Sequence, residues 1–297
     1  MHPFDYRRPT SLAEAFQDLS SPRKVVAVIA GATDLIPQIR DGVFRPDLVV
    51  DIKGLPRVRD LAVLPAGSAG GPGPLFVGAA IRMNELARSD LVRSHWSILA
   101  DAAATMANEQ VRNRATIGGN ICTASPAADT APALYVLEAV VQIAGSAGER
   151  QVPIAEFFTG PRRTVLAAGE IVIGLVLPQP PEGTVGAFEK LSRRQAGDLS
   201  IVSVAALAIP NSGTNRSWRL ALGAVSPTPL RVPESEAILS EALTDEAIDR
   251  AAAAAYGCCR PIGDIRSGEA YRQAMVINLT RRTIRTVMDR MAAGQSG

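Results

Sequence analysis

Leu12, Ala15, Phe16 and Leu19 recur at helical spacing behind a Ser11…Glu14 pair, which predicts an amphipathic helix with a capped start. The period then changes. Residues 25–29 (VVAVI) form an unbroken, β-branched apolar run, read as a buried strand that breaks into Gly31-Ala32-Thr33-Asp34. Residues 47–52 read as a second strand. Residues 67–74 (GSAGGPGP) are too rich in glycine and proline for either element and predict a flexible hairpin or loop before a strand over 75–80. Residues 95–108 carry a helical pattern that runs up to the small-residue stretch 115–132. Strands are expected over 138–144 and 170–178, on either side of residues 154–164.

Residues 178–184 (PQPPEGT) continue neither helix nor sheet, because proline lacks the N–H that either ladder needs. They form the best linker in the chain. Beyond it, residues 185–192, 199–209 and 218–227 read as sheet strands. Helical patterns follow from Pro233 and from Thr244. A long last helix is expected over 267–291, with Tyr271, Met275, Leu279, Ile284, Val287 and Met288 as its apolar side. Strands followed by helices predict an α+β layer. The pattern shows no fixed-period repeat.

Composition narrows the function classes. The 297 residues are long enough for two domains with sizeable cores, and a net charge of +2 is too small for a nucleic-acid footprint. The densest basic run, residues 280–285, reads as a solvated or subunit-facing helix surface. No apolar run reaches membrane-spanning length, and the start lacks a signal-peptide core, so the cytoplasm is the expected compartment. Three cysteines supply neither a disulfide framework nor the four ligands of an iron–sulfur cluster or structural zinc. Cys258 and Cys259 are adjacent and read as reduced thiols. Cys122 has no local histidine to activate it. No catalytic residue and no metal site is expected.

Two segments share a plan. "AGATD" (30–34) and "TIGGN" (116–120) each deliver the chain into a small-residue turn. Glycine permits positive φ and close approach of a ligand to main-chain N–H groups. Successive N–H groups form a nest for an anion, and Thr33 and Thr116 add hydroxyls. Together such loops suit the two phosphates of a dinucleotide, although either alone reads more readily as a plain turn. Neither a G-x-G-x-x-G unit nor a phosphate-binding G-x-x-x-x-G-K-[ST] loop is present.

The segments "IAGATDLIPQIRDG", "QVRNRATIGGNICTASPAADTAPAL" and "FEKLSRRQAGDLSIVSVA" resemble the FAD-binding medium subunit of the xanthine dehydrogenase family of molybdenum hydroxylases. The similarity runs over nearly the whole chain, and "NICTASPAADTAP" looks closer to the xanthine than to the carbon monoxide dehydrogenase branch. The resemblance implies an α+β fold. Residues 1–178 would form a vanillyl-alcohol-oxidase (PCMH) type FAD domain of two α+β subdomains, about 1–55 and 56–178. Residues 179–184 would be the linker. Residues 185–297 would form a sandwich-like α/β domain of the carbon monoxide dehydrogenase flavoprotein C-terminal type.

By that resemblance Ile29, Ala30, Gly31, Ala32, Thr33 and Asp34 match one pyrophosphate loop, with Leu35 opening the helix behind it. Thr116, Ile117, Gly118, Gly119 and Asn120 match the second. Asp129 matches a carboxylate near the ribityl and adenosine groups, and Val172 an apolar residue near the flavin or adenine. Lys190 matches a basic residue reaching toward the flavin. Met106 stands where some relatives place an aromatic ring, Ala27 where some carry a lysine, and Leu199 in a loop beside the flavin.

The implied function is electron transfer within an oxidoreductase. FAD on this chain would take electrons from two [2Fe–2S] clusters of a small subunit, fed by a molybdenum–pterin large subunit. It would pass them to NAD or another acceptor, in a heterotrimer or its doubled hexamer. The choice of substrate would lie in the large subunit. Two rivals are a self-contained flavin oxidase or reductase of the same superfold, and a non-catalytic interaction protein. The first needs its own acid–base pair or covalent flavin link, and the second predicts damaged phosphate loops.

Overall fold

The computed structural model describes residues 2–21, 23–65, 73–194, 196–211 and 216–294. The hairpin expected at 67–74 therefore falls largely outside the described residues. A small parallel sheet comes first. Its elements are β1 (Asp5–Arg7), α1 (Leu12–Leu19), β2 (Val26–Ile29), α2 (Leu35–Arg40) and β3 (Leu48–Asp51), with strand order β1-β3-β2. The Ser11 hydroxyl accepts from the Glu14 N–H and caps α1 as the spacing predicts. The central strand β3 is buried along its whole length, so Asp51 at its end needs partners. Lys53 supplies an ion pair at 2.8 Å and the Tyr6 hydroxyl donates a short hydrogen bond.

A larger antiparallel sheet follows, after a 3₁₀ turn at Ile52–Gly54. In chain order come β4 (Leu61–Val63), β5 (Leu75–Gly78), α3 (Met83–Arg88), α4 (Asp90–His95), α5 (Ser97–Thr105), α6 (Glu109–Arg112), α7 (Ile117–Cys122) and α8 (Ala131–Val136). Then come β6 (Val140–Gly145), β7 (Gly148–Pro153), α9 (Ile154–Phe157), a hairpin of β8 (Phe158–Gly160) and β9 (Arg163–Thr164), and β10 (Ile171–Leu177). The strand order β4-β5-β10-β6-β7 brings β10 back between β5 and β6. The helix expected over 95–108 stops at Thr105. Ala107 turns left-handed at φ 43°, and Asn108 caps α6 by accepting from the Val111 N–H at 2.9 Å.

The last layer is an antiparallel sheet of β11 (Val185–Leu191), β12 (Val202–Pro210), β13 (Arg216–Gly223) and β14 (Leu230–Arg231), paired in chain order. Helices α10 (Pro233–Glu241), α11 (Asp245–Cys258) and α12 (Glu269–Gly294) cover one face. The other face lies on α5 and α8. Strand β12 reads as one continuous apolar run because both its faces are buried. Ala205 and Leu207 join the core of the preceding sheet, whereas Val204, Ala206 and Ala208 join the core under α10–α12. On α12, Val276, Leu279, Ile284 and Val287 are buried, whereas Tyr271, expected on that side, is half exposed. Arg290 ties the end of α12 to α5 through Asp101 at 2.8 Å. All three cysteines are free, and no helix among the described residues is long and apolar enough to cross a membrane.

Candidate cofactor site

The chain leaves β2 at Ile29 and turns over Ala30–Asp34 into α2. The left-handed residue in this turn is Ala32, at φ 69°, and not Gly31. Gly31 is required for a different reason. A Cβ there would overlap the carbonyl oxygen of Arg114 and lie 2.9 Å from the Cα of Ala115. The turn after β2 thus touches the segment between α6 and α7 backbone to backbone at this glycine. The N–H groups of Gly31, Ala32, Thr33 and Asp34 have no hydrogen-bond partner among the described residues. Lys53 braces the turn from behind, donating to the carbonyl of Ala30 at 3.0 Å. Asp34 accepts from Gln38 at 2.6 Å and from the hydroxyl of Thr123 at 3.2 Å, which links the turn to the end of α7.

The second small-residue segment is built differently. Its two glycines lie inside the first turn of α7, at helical backbone angles, and the expected positive-φ nest is absent. Ile117 and Gly118 donate to the carbonyls of Ile81 and Ala79 at 3.0 and 2.9 Å, and Gly119 donates to the Thr116 hydroxyl at 3.2 Å. A Cβ on Gly118 would sit 2.7 Å from the Cβ and carbonyl of Ala79. Gly118 therefore stitches α7 to the turn after β5, while Gly119 keeps its open side to solvent. Asn120 accepts from the hydroxyl of Thr130 at 2.6 Å, which leaves its amide N–H₂ without a partner among the described residues.

Asp129 is buried just before α8. One carboxylate oxygen accepts from Lys190 at 3.0 Å and from Ser200 at 2.7 Å. Burial pushes its pKa above the ordinary 3.8, a rise that Lys190 and Ser200 oppose without cancelling. Lys190, on β11, is no surface lysine: its side chain is 6% exposed and also donates to the carbonyl of Thr105. The C-terminal layer thereby reaches into the preceding one through a buried ion pair. The loop after β11 adds Leu199, 47% exposed, and is tied to Ala107 by the Gly197 N–H at 3.1 Å.

These pieces enclose a cleft of about 630 Å³, within the usual range for small-molecule sites. Of the residues expected at the cofactor, Ile29, Ala30, Gly31, Ala32, Thr33, Asp34, Leu35, Met106, Thr116, Gly119, Asn120, Asp129 and Leu199 line it. Four do not. Ile117 and Gly118 are buried behind the wall, Lys190 stands behind Asp129, and Val172 is buried within β10, where it pairs with Ile143. Sequence reasoning missed Cys122, Thr123 and Arg162, which also line the cleft. Cys122 opens onto the cleft, but crowding by the surrounding protein pushes its thiol pKa up to about 12. The Gly160-Pro161 pair before Arg162 was the local sign of a turn there.

Residues 2–180 match the family described as the FAD binding domain in molybdopterin dehydrogenase, and residues 187–287 match the CO dehydrogenase flavoprotein C-terminal domain. The chain belongs to the FAD-binding medium subunits of the molybdenum hydroxylases. It is 32% identical to the carbon monoxide dehydrogenase medium chain of Hydrogenophaga pseudoflava, over 97% of this chain and 98% of that one. It is 30% identical to the xanthine dehydrogenase FAD-binding subunit of Escherichia coli O157:H7, over 94% of each. These values do not separate the two branches. The carbon monoxide dehydrogenase structure from H. pseudoflava superposes with a TM-score of 0.91 at 32% identity, covering 98% of this chain and 99% of that chain. Quinoline 2-oxidoreductase from Pseudomonas putida 86 gives 0.89 at 28%, with the same coverage.

For a flavin subunit of this family the cleft has a suitable donor set. Four free N–H groups suit a diphosphate, the Met106 and Leu199 walls suit an apolar ring, and the unoccupied oxygen of Asp129 suits a hydroxyl.

Proposed function

We propose that this chain binds FAD across the cleft and serves as the electron-transferring flavin subunit of a molybdenum hydroxylase. The observation that carries the reading is the run of free N–H groups at Gly31–Asp34, facing a cleft whose walls come from all three layers of a flavin-subunit fold. In this reading residues 1–178 are the cofactor domain, 179–184 the linker and 185–297 the C-terminal domain. The Gly31–Asp34 turn receives the diphosphate. Gly119 and Asn120 border it, Asp129 accepts from a cofactor hydroxyl, and Met106 and Leu199 flank the ring. Lys190 acts through Asp129, opposing the effect of burial on the carboxylate and holding it in place.

The bound flavin supplies the redox chemistry, accepting electrons singly and releasing a pair as a hydride. The chain's residues bind and orient it. Electrons arrive from [2Fe–2S] clusters on a small partner subunit, which a molybdenum–pterin large subunit reduces, and leave to NAD or another acceptor. The assembly is a heterotrimer or its doubled hexamer, placed in the cytoplasm. Support for the partnership comes from relatives that are themselves medium chains or FAD-binding subunits. Against a self-contained oxidase, the lining carboxylates Asp34, Asp129 and Asp198 are each engaged by neighbouring side chains.

The test is the visible spectrum of the purified chain, before and after acid release, with titration of the apoprotein by FAD. Flavin bands near 450 nm and about one FAD per chain are expected. Folded protein that neither carries nor takes up FAD would sink the reading.

A further inference from the structure

The hairpin β8–β9 closes over only two residues, Pro161 and Arg162, because Gly160 pairs with Arg163. In such a turn the second position takes a left-handed backbone, which glycine adopts freely and side-chain-bearing residues resist. Here that residue is Arg162, at φ 59°. The neighbour that holds it is strained in the same way. The Arg162 N–H donates to the carbonyl of Ala124 at 2.8 Å, and Ala124 lies at φ 46°. Two left-handed non-glycine residues therefore lock one another at the edge of the cleft. Strain of this kind persists only where the surrounding structure holds it, and it clusters at ligand-binding sites.

The Arg162 side chain lines the cleft and has no hydrogen bond or ion pair among the described residues. It is the only cationic residue among the described residues of the lining, whereas Asp34, Asp129 and Asp198 are all acidic. Its place along the cleft follows from two contacts. Thr123, next to Ala124, donates its hydroxyl to Asp34, at the end of the turn that carries the free N–H groups. The turn that carries Arg162 is thus tied, through Ala124 and Thr123, to the Asp34 end of the Gly31–Asp34 segment, with the guanidinium on a flexible stem in the cleft lining.

From this geometry we infer that Arg162 is the counter-cation of the bound dinucleotide's diphosphate, closing from the β8–β9 turn the anion site that the Gly31–Asp34 N–H groups open. The inference rests on the FAD reading above. Backbone N–H groups supply direction without net charge, and Asp34, unlike Asp129 and Asp198, has no cationic partner among the described residues, so a dianion bound beside it calls for a cation. Arg162 meets that need from outside both small-residue segments.

The experiment is titration of the apoprotein with FAD, followed by flavin fluorescence, at low and at high salt. Wild type would be compared with R162M, R162K, R162G and R163M. R162M is expected to bind FAD about tenfold or more weakly at low salt, and with a smaller salt dependence. R162K should recover part of the affinity because it keeps the charge. R162G should match R162M in affinity while melting no lower than wild type, since glycine relieves the left-handed strain. R163M, altered at the neighbouring arginine outside the cleft lining, should bind as wild type. The inference is overturned if R162M binds within twofold of wild type at low salt. It is also overturned if R162K recovers nothing and the salt dependence is unchanged. Wild type that takes up no FAD would defeat the cofactor reading itself, a result distinct from either.

Discussion

Gly31 rests directly on the backbone of Arg114, so the turn after β2 and the segment leading into α7 meet through a residue with no side chain. Gly31→Ala places a methyl group into that carbonyl and must push the two apart. Overpacking of this kind costs about 1–3 kcal/mol. Chemical denaturation should show a loss in that range, and FAD affinity should fall with it. An alanine variant as stable as wild type would show that the junction yields freely.

Gly119 answers to a different constraint. A Cβ there meets only the Thr116 hydroxyl, at 3.0 Å, and points where the cleft is open. Gly119→Ala should fold normally and bind FAD with a modest loss. Gly119→Trp should fill the cleft and abolish FAD uptake while circular dichroism stays native. Retention of full FAD stoichiometry by the tryptophan variant would remove this part of the cleft from the cofactor site.

The Lys190–Asp129 pair is buried on both sides. Removing one partner of such a pair costs about 3–5 kcal/mol, because the other charge is left uncompensated. Lys190→Met should be destabilised in that range, and Asp129→Leu with Lys190→Met should recover much of the loss. Unfolding measurements on the single and double variants give the coupling directly, and additive effects would show the pair to be incidental.

Acid should loosen the first sheet. Burial alone would raise the Asp51 pKa, but hydrogen bonds from Lys53 and Tyr6 prevail and hold it below 3.8. A carboxylate lowered on folding adds stability that is present above its unfolded value and lost as pH falls through its folded one. Stability should therefore drop below about pH 3.8, and Asp51→Asn should flatten that limb. The Tyr6 pKa is raised by the same bond, so its contribution should fade as pH climbs past 10. A pH–stability profile of both proteins checks the signs.

Cys122 offers a report on occupancy. Cys122 is exposed on the cleft, and desolvation by the surrounding protein raises its pKa, so it should react with maleimide more slowly than a fully solvated thiol. Bound FAD should slow it further by covering the cleft. Peptide mapping after labelling would show the difference, and equal labelling with and without FAD would place Cys122 clear of the cofactor.

Strand and helix periods were legible because each depends on neighbours within a few residues, as with Ser11 over α1 and the apolar run of β12. The two small-residue segments were legible as places, but their workings were not. Gly31 is required by residue 114, far along the chain, and the left-handed turn falls on Ala32 instead. The α7 glycines looked like a nest, yet their N–H groups are taken by Ala79 and Thr116, contacts that only the folded chain creates. Lys190 pointed to the cofactor only through the resemblance, and its partner Asp129 lies far away along the chain. Arg162 carried almost no local signal, since its meaning comes from the cleft it faces.

Strand β12 belongs to two interiors at once, with alternate residues in each. The proline-rich segment therefore joins two layers that share a packed interface. A chain cut there would bare the apolar backs of α5 and α8 and would lose Lys190, Ser200 and Leu199 together. Neither fragment would be a portable flavin module. Transplanting this cofactor site into another protein would require moving the whole chain.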